Sequence, residues 1–254
     1  MKSVVLLALI SLAAIPSLLG QAPDSSARAR ALLDQAIAAL GGEAFLHLKT
    51  QKTEGRVYLF RRNALAGFTT VTEYVLYPDQ ERREYGKEQD EAEIVSGNKG
   101  WKISPHGVLP FPLREVQRHR QQQSMSAFRI LRYRLREEGS ILEYAGRDLL
   151  NNRQVDLVNF IDRDNRTASI ALDSSTHLPL QVLRATRDPQ NGQRIEDREI
   201  LSNYSEKQGI TAPRHILRME GGTKVFESFI RDVQYNEELS DLLFIPPVIL
   251  PSAE

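Results

Sequence analysis

The sequence predicts a mainly β fold of the α+β class: an antiparallel meander with one N-terminal helix and one helical insertion in the middle. Three observations carry that reading. Runs rich in β-branched and aromatic residues follow one another through the second half, at Gln154–Ile161, Thr167–Leu172, Leu180–Arg187, Arg194–Tyr204, Pro213–Met219 and Lys224–Gln234. Between them stand Asp164-Asn165-Arg166, Ser174-Ser175-Thr176, Asn191-Gly192, Gln208-Gly209 and Gly221-Gly222, residue types that supply hairpin turns. Only two segments carry helical periodicity, one near the N-terminus and one before Glu138. A sheet of this size must bury one face against its own curve, a helix or a ligand.

The elements follow in order. Met1-Lys2-Ser3 is a basic start, and Val4–Leu19 is almost wholly apolar with a break at Pro16. The apolar core before Pro16 is too short for a hydrocarbon layer of about 30 Å. It reads as a secretory signal cleaved after Gly20 or Ala22, against the competing reading of an uncleaved anchor. Gln21 stands where a lipoprotein would carry its Cys, so the mature chain is expected to be soluble and unlipidated. The expected organisation is a signal over 1–22, a single domain over 23–247 and an irregular tail over 248–254.

Ser25–Leu40 is the first helix. Ser25 or Ser26 can cap it, and Leu32, Leu33, Ala36, Ile37 and Leu40 form an apolar stripe. Gly41-Gly42 stops it. Strands are predicted at Thr53–Arg61, Phe68–Tyr77, Gln80–Tyr85 and Glu91–Ser96. Phe68–Tyr77 is apolar on both faces, which predicts cover on both. After Trp101, the Pro105-His106-Gly107 turn and Pro110-Phe111-Pro112, helical character runs to about Glu138, with Met125, Phe128, Leu131 and Leu135 on one side. Arg129, Arg132, Arg134 and Arg136 lie around the rest, as solvated charges of an amphipathic helix packed on the sheet. The sharper readings of the same segment are a lid over a cavity mouth or a basic helix on an anionic membrane.

Composition narrows the function. Thirty-three basic and thirty-three acidic residues balance over 254, which gives no general reason for nucleic-acid binding. The chain has no Cys, so disulfides, thiolate metal sites and thiol nucleophiles are excluded together. His47, His106, His119, His177 and His215 are scattered without metal-motif spacing, and His119 and His177 read as surface residues. Asp162 and Asp164 read as hairpin-turn residues, and Asp156, among Val155, Leu157 and Val158, as part of a solvated or paired face. No catalytic motif, metal site or cofactor site is legible, and the expected protein is not an enzyme.

An ordered set of segments resembles a known family. Ala171-Leu172-Asp173-Ser174-Ser175-Thr176-His177-Leu178-Pro179-Leu180, then Tyr204, Gly209-Ile210-Thr211-Ala212-Pro213, Val233-Gln234-Tyr235-Asn236 and Asp241-Leu242-Leu243-Phe244-Ile245-Pro246-Pro247 resemble the periplasmic lipoprotein-sorting superfamily, the LolA/LolB-like fold. Ala39-Leu40-Gly41-Gly42 and Gly97-Asn98-Lys99-Gly100-Trp101 are similar to uncharacterised exported members of that group. The resemblance spans roughly residues 25 to 247. It implies a curved, incomplete antiparallel β-barrel closed by helices, with an apolar cavity that shelters acyl chains in the periplasm. Lacking an anchoring Cys, the chain is more similar to the soluble carrier than to the anchored acceptor.

On this reading the protein is a monomeric periplasmic carrier of lipid or lipoprotein acyl chains, with envelope membrane proteins as further partners and no nucleic acid. Shielding an acyl chain recovers roughly 0.8 kcal/mol per methylene and needs no covalent chemistry. Trp101, Phe111, Met125, Phe128 and Leu131 are the candidate lid and mouth residues. Two other classes compete: a non-catalytic envelope protein docking a partner through a sheet edge, and a hydrolase acting on envelope material.

Overall fold

The computed structural model describes residues 25–187, 192 and 194–247. The predicted signal, the tail from 248 and the turn residue Asn191 lie outside them. Among the described residues the strands form one antiparallel sheet, and its course is simple. Strands β1 (Thr50–Arg61), β2 (Ala64–Leu76), β3 (Gln80–Tyr85), β4 (Glu91–Ser96), β5 (Lys99–Ser104) and β6 (Gly107–Pro110) make the first meander. The second comprises β7 (Ile141–Leu150), β8 (Arg153–Ile161), β9 (Thr167–Asp173), β10 (Pro179–Arg187), β11 (Arg194–Lys207), β12 (Ile210–Glu220) and β13 (Thr223–Tyr235). The two are joined where β1 pairs with β13. The outermost strands, β6 and β7, are the free edges, so the barrel stays open.

Four of the predicted strands of the second half begin and end within two residues of the observed ones. Strands β5, β6 and β7 were not predicted, because the residues that signal them are few. Strand β6 has four residues and ends in Pro110, and β7 carries Glu143, Gly146, Arg147 and Asp148. Cross-strand pairing supplies what local propensity lacks.

Two helical pieces act on the concave face. Helix α1 (Ser25–Ala39) ends at Gly41, whose φ of +121° and approach to Gly209 leave no room for a side chain: a Cβ there would lie 2.2 Å from the Gly209 carbonyl oxygen. A single turn, α2 (Glu43–Leu46), leads into β1. Between the free edges run α3 (Leu113–Ser124) and α4 (Ala127–Arg129), the latter continuing as a π-helical turn through Ile130–Arg134. This is the predicted helical insertion, and it bridges the gap in the barrel.

The core explains the division of the concave face. Ala29, Leu33, Ala36 and Leu40 of α1 pack with Met125, Ile130, Leu131 and Leu135 of the insertion against Val158, Phe160, Ile170, Leu172 and Val182 of β8, β9 and β10. Each fully buried Leu, Ile or Phe side chain contributes roughly 1.5–3 kcal/mol. That half of the sheet is therefore filled. Over the half built from β1, β2, β3, β12 and β13 the insertion leaves a space between itself and most of the sheet.

Two local expectations need correction. The predicted cover on both faces of Phe68–Tyr77 is uneven: Val71, Val75 and Tyr77 face the concave side, and on the convex side Tyr74 and Leu76 are half-buried, whereas Phe68 is 63% exposed. Phe68 instead stacks on Tyr58, which meets Phe229 edge-on, so lateral aromatic contacts on the convex face replace a covering layer. The insertion's arginines are not simply solvated either. Arg134 is buried and ion-paired with Asp162, since the π-helical turn rotates it inward over Phe160.

Candidate ligand-binding site

The uncovered half of the concave face holds a cavity of about 330 Å³, within the range of roughly 300–1,000 Å³ typical of small-molecule sites. Strand alternation sets its floor. Val57 of β1, Val71 and Val75 of β2, Ile216 of β12, and Phe226, Ile230 and Val233 of β13 point inward, with Leu48 and Ile210 at one end. A bulge in β13 at Arg231, opposite Glu54/Gly55, brings Gly55 of β1 against that strand, where a Cβ would lie 2.3 Å from the Phe229 carbonyl oxygen. Phe128, Arg129, Arg132 and Tyr133 of the insertion close the cavity from above.

Charged groups flank the apolar floor on two sides. On one, Arg83 of β3 bridges two carboxylates, with Nε 2.7 Å from Glu73 and an ion pair to Glu81. His119 of α3 completes the bank, its Nε2 3.1 Å from Glu81. Burial pushes the Glu73 carboxyl up. Burial acts the same way on Glu81, but Arg83 and the His119 hydrogen bond outweigh it and hold Glu81 well below the usual carboxylate range. On the other side Arg184 of β10 pairs with Glu199 at 3.0 Å and Asp197 at 3.4 Å, and Arg218 of β12 lies 3.8 Å from Asp197.

Arg184 also donates to the Gln122 carbonyl oxygen at 3.2 Å, tying the end of α3 to the sheet. Arg129 donates to the Pro78 carbonyl oxygen and Arg132 to that of Leu48, so the insertion is held over the cavity by guanidinium groups on backbone acceptors. A smaller hollow of about 220 Å³ lies under α3, lined by Phe111, Val116 and Val95, and shares Glu81, Arg83 and His119 with the main one.

The five candidate residues separate. Phe128 lines the main cavity and meets Phe45 edge-on at 6.1 Å. Phe111 lines the smaller hollow. Met125 and Leu131 are buried in the core beneath the insertion and line neither space. Trp101 pairs in register with Ile94, on the face opposite Val95 and Glu93, and so lies on the convex side. His119, read as a surface residue, lines both cavities. The lining residues that sequence reasoning missed are the inward positions of β1, β2, β12 and β13. Their signal was period-two alternation, but it could not say which face a helix would cover.

The buried acids away from the cavity are structural. Asp156 accepts from Ser174 Oγ at 2.7 Å, Tyr144 Oη at 3.0 Å and Arg147 Nε at 3.1 Å, so the expected pairing holds on a buried face. Asp173 closes the Ser174-Ser175-Thr176 turn, accepting from the Ser175 hydroxyl and the N–H groups of Ser175 and Thr176. Burial pushes its carboxyl up, but the Ser175 hydroxyl and those N–H groups outweigh it and hold it at about 2. A carboxyl depressed on folding stabilises above its unfolded value of about 4 and loses that contribution as pH falls through the folded one. Asp156 and Asp162 are lowered in the same direction. Urea midpoints are therefore expected to hold flat down to about pH 4 and fall between about pH 4 and 2; Asp173→Asn should flatten part of that fall.

On the convex face Ser202 Oγ and His215 Nδ1 lie 2.8 Å apart, and His215 Nε2 lies 2.8 Å from Glu227. Backbone groups on both sides of His215 are committed to the ladders with β11 and β13. Among the described residues no group of three or more His, Asp or Glu is placed to hold a metal ion.

Comparison with known proteins bears on the fold. A domain from Vibrio parahaemolyticus described as an outer membrane lipoprotein-sorting protein superposes with a TM-score of 0.56 at 13% identity, covering 85% of this chain and 97% of that one. A LolA superfamily protein from Nitrosomonas europaea gives 0.54 at 10% identity over the same shares. The fold is LolA-like. A DUF1329 family protein from Desulfovibrio piger shares it, with a TM-score of 0.58 at 10% identity over 85% of this chain and 97% of that one. No family model matches the sequence, and no curated protein does. The LolA-like sheet here keeps the open barrel and the bridging insertion that the ordered segments implied.

Proposed function

We propose that the protein is a soluble periplasmic carrier or binding protein that shelters acyl chains of lipids or lipoproteins in its half-barrel. The observation that carries this reading is the cavity over the uncovered half of the sheet: an apolar floor, closed by a separate helical insertion and not by strands. A structure built this way can open without breaking the sheet. An acyl chain burying about ten methylenes would gain roughly 8 kcal/mol there, before the cost of immobilising it. The lipoprotein-sorting description of the Vibrio structure agrees with such a cargo. Export follows from the apolar segment at Val4–Leu19, and cell fractionation of a tagged chain should place it in the periplasm in processed form.

Native mass spectrometry of the mature protein from an envelope extract tests the cargo. The expected spectrum carries an adduct of acyl-lipid mass that organic solvent removes. A bare protein mass that also fails to take up an acyl probe would sink the carrier reading. The partner-docking reading draws on β7, a free edge of ten residues on which Ile141 and Leu149 are 57% and 67% exposed. A stoichiometric protein partner co-purifying without lipid would favour it.

A further inference from the structure

We infer that the closed end of the cavity is an anion site, where Arg132 and Arg129 receive the carboxylate or phosphate headgroup of an acyl ligand whose chain lies along the floor. The inference rests on the acyl-binding reading and narrows it to anionic amphiphiles. It starts from an imbalance among the cations of the cavity. Arg83, Arg184 and Arg218 each have a carboxylate partner. Among the described residues Arg214, which donates to Ser205 Oγ, has no carboxylate partner, and Arg129 and Arg132 have none either. Their hydrogen bonds go to the carbonyl oxygens of Pro78 and Leu48, which accept a proton but carry no compensating charge.

The surroundings of Arg132 are those of a poised donor. Its guanidinium lies 4.1 Å from the ring centre of Tyr77 and 4.8 Å from that of Tyr133, with Phe45 at 5.9 Å. Stacking on aromatic faces fixes the plane of the guanidinium and leaves its edge for a planar or tetrahedral anion. Its Nε is buried and has no hydrogen-bond partner, and a buried donor left unmade is costly. Burial also lowers the basicity of Arg132 from its ordinary value, a change that a bound anion would reverse. Arg129 lies 5.8 Å from the same Tyr77 ring.

Position links this group to the floor. Tyr77 packs against the cluster of Leu48, Ile210, Val233 and Tyr235, so a headgroup on Arg132 has the apolar floor directly behind it. A neutral lipid would leave the Arg132 guanidinium desolvated without charge compensation, which supplies the discrimination.

The test measures affinities of the mature protein for dodecanoate, dodecyl phosphate, dodecanol and inorganic phosphate. The two anionic amphiphiles are expected to bind at least about tenfold more tightly than dodecanol, the range of a charge-assisted hydrogen bond. Arg132→Gln should bring dodecanoate down to the affinity of dodecanol on the same variant, and Arg132→Lys should restore part of the difference. Thermal midpoints verify that both variants fold. Equal binding of dodecanoate and dodecanol by the native chain overturns the anion site and leaves the acyl-carrier reading standing. Failure of all the dodecyl probes overturns the carrier reading itself. Inorganic phosphate binding as tightly as dodecyl phosphate overturns the amphiphile as ligand and identifies a site for free anions.

Discussion

Asp162→Ala is expected to cost about 3–5 kcal/mol of stability, the range for breaking a buried ion pair from one side. The Asp162 side chain is fully buried at the end of β8. One oxygen accepts from the backbone N–H groups of Asp164 and Arg166, both at 3.0 Å. The other accepts from Arg166 Nε at 2.8 Å and from Arg134 Nη2 at 3.2 Å. Arg134 closes the helical insertion and lies over Phe160 in the core, with 11% of its side chain exposed. Removing the carboxylate leaves that guanidinium buried with only Glu137, itself 44% exposed, as counter-charge.

Against a total of about 5–15 kcal/mol such a loss is a fifth or more, and urea unfolding should show it as a large drop in midpoint. Asp162→Asn keeps an acceptor for the turn while removing the charge, so it should cost less. A change below about 1 kcal/mol for the Ala variant would mean that the cluster does not hold the insertion to the β8–β9 hairpin.

Much of the sheet was legible because its signals are local. Asn165, Gln208 and the Gly221-Gly222 pair take positive φ at the turns where their residue types place them. Helix α1 was legible for the same reason, with Ala36 and Leu40 buried on the predicted stripe. What was not legible is relational. Strand β7 is polar along most of its length and owes its place to pairing with β8 and to α1 lying across it, where Tyr144 N–H donates to Ser25 Oγ at 2.9 Å. The edge strand β6 is too short to show a period.

The site was less legible than the fold. A sequence shows that alternate residues of β12 share a face, but not that α1 covers the inward residues of β8, β9 and β10 and leaves those of β12 bare. That depends on where α1 docks, a contact between segments more than a hundred residues apart. Apolar residues of the insertion therefore looked like candidates for the mouth when two of them, Met125 and Leu131, are core. The π-helical turn adds a second obstacle. It shifts side-chain directions from the 3.6 period, which turns Arg134 into the core and sets Arg132 against Tyr77.

That division of the concave face makes the sharpest test of the cavity a pair of neighbouring residues. Ile216 and Leu217 are consecutive on β12, and strand alternation sends the first into the cavity and the second to the convex face. Ile216 sits opposite Leu201 on one side and Ser228 on the other, in the middle of the floor. Ile216→Trp should place an indole across a space of about 330 Å³ and lower acyl-probe affinity at least about tenfold. Because the added bulk enters a cavity and not a filled core, the usual overpacking cost of about 1–3 kcal/mol should be an upper limit. Leu217→Trp adds the same side chain one residue away and should leave probe affinity unchanged. The contrast separates occlusion from a general effect of the substitution on the strand, since β12 carries both. Equal affinities for the two variants would remove the cavity as the binding site and direct attention to the edge at β7.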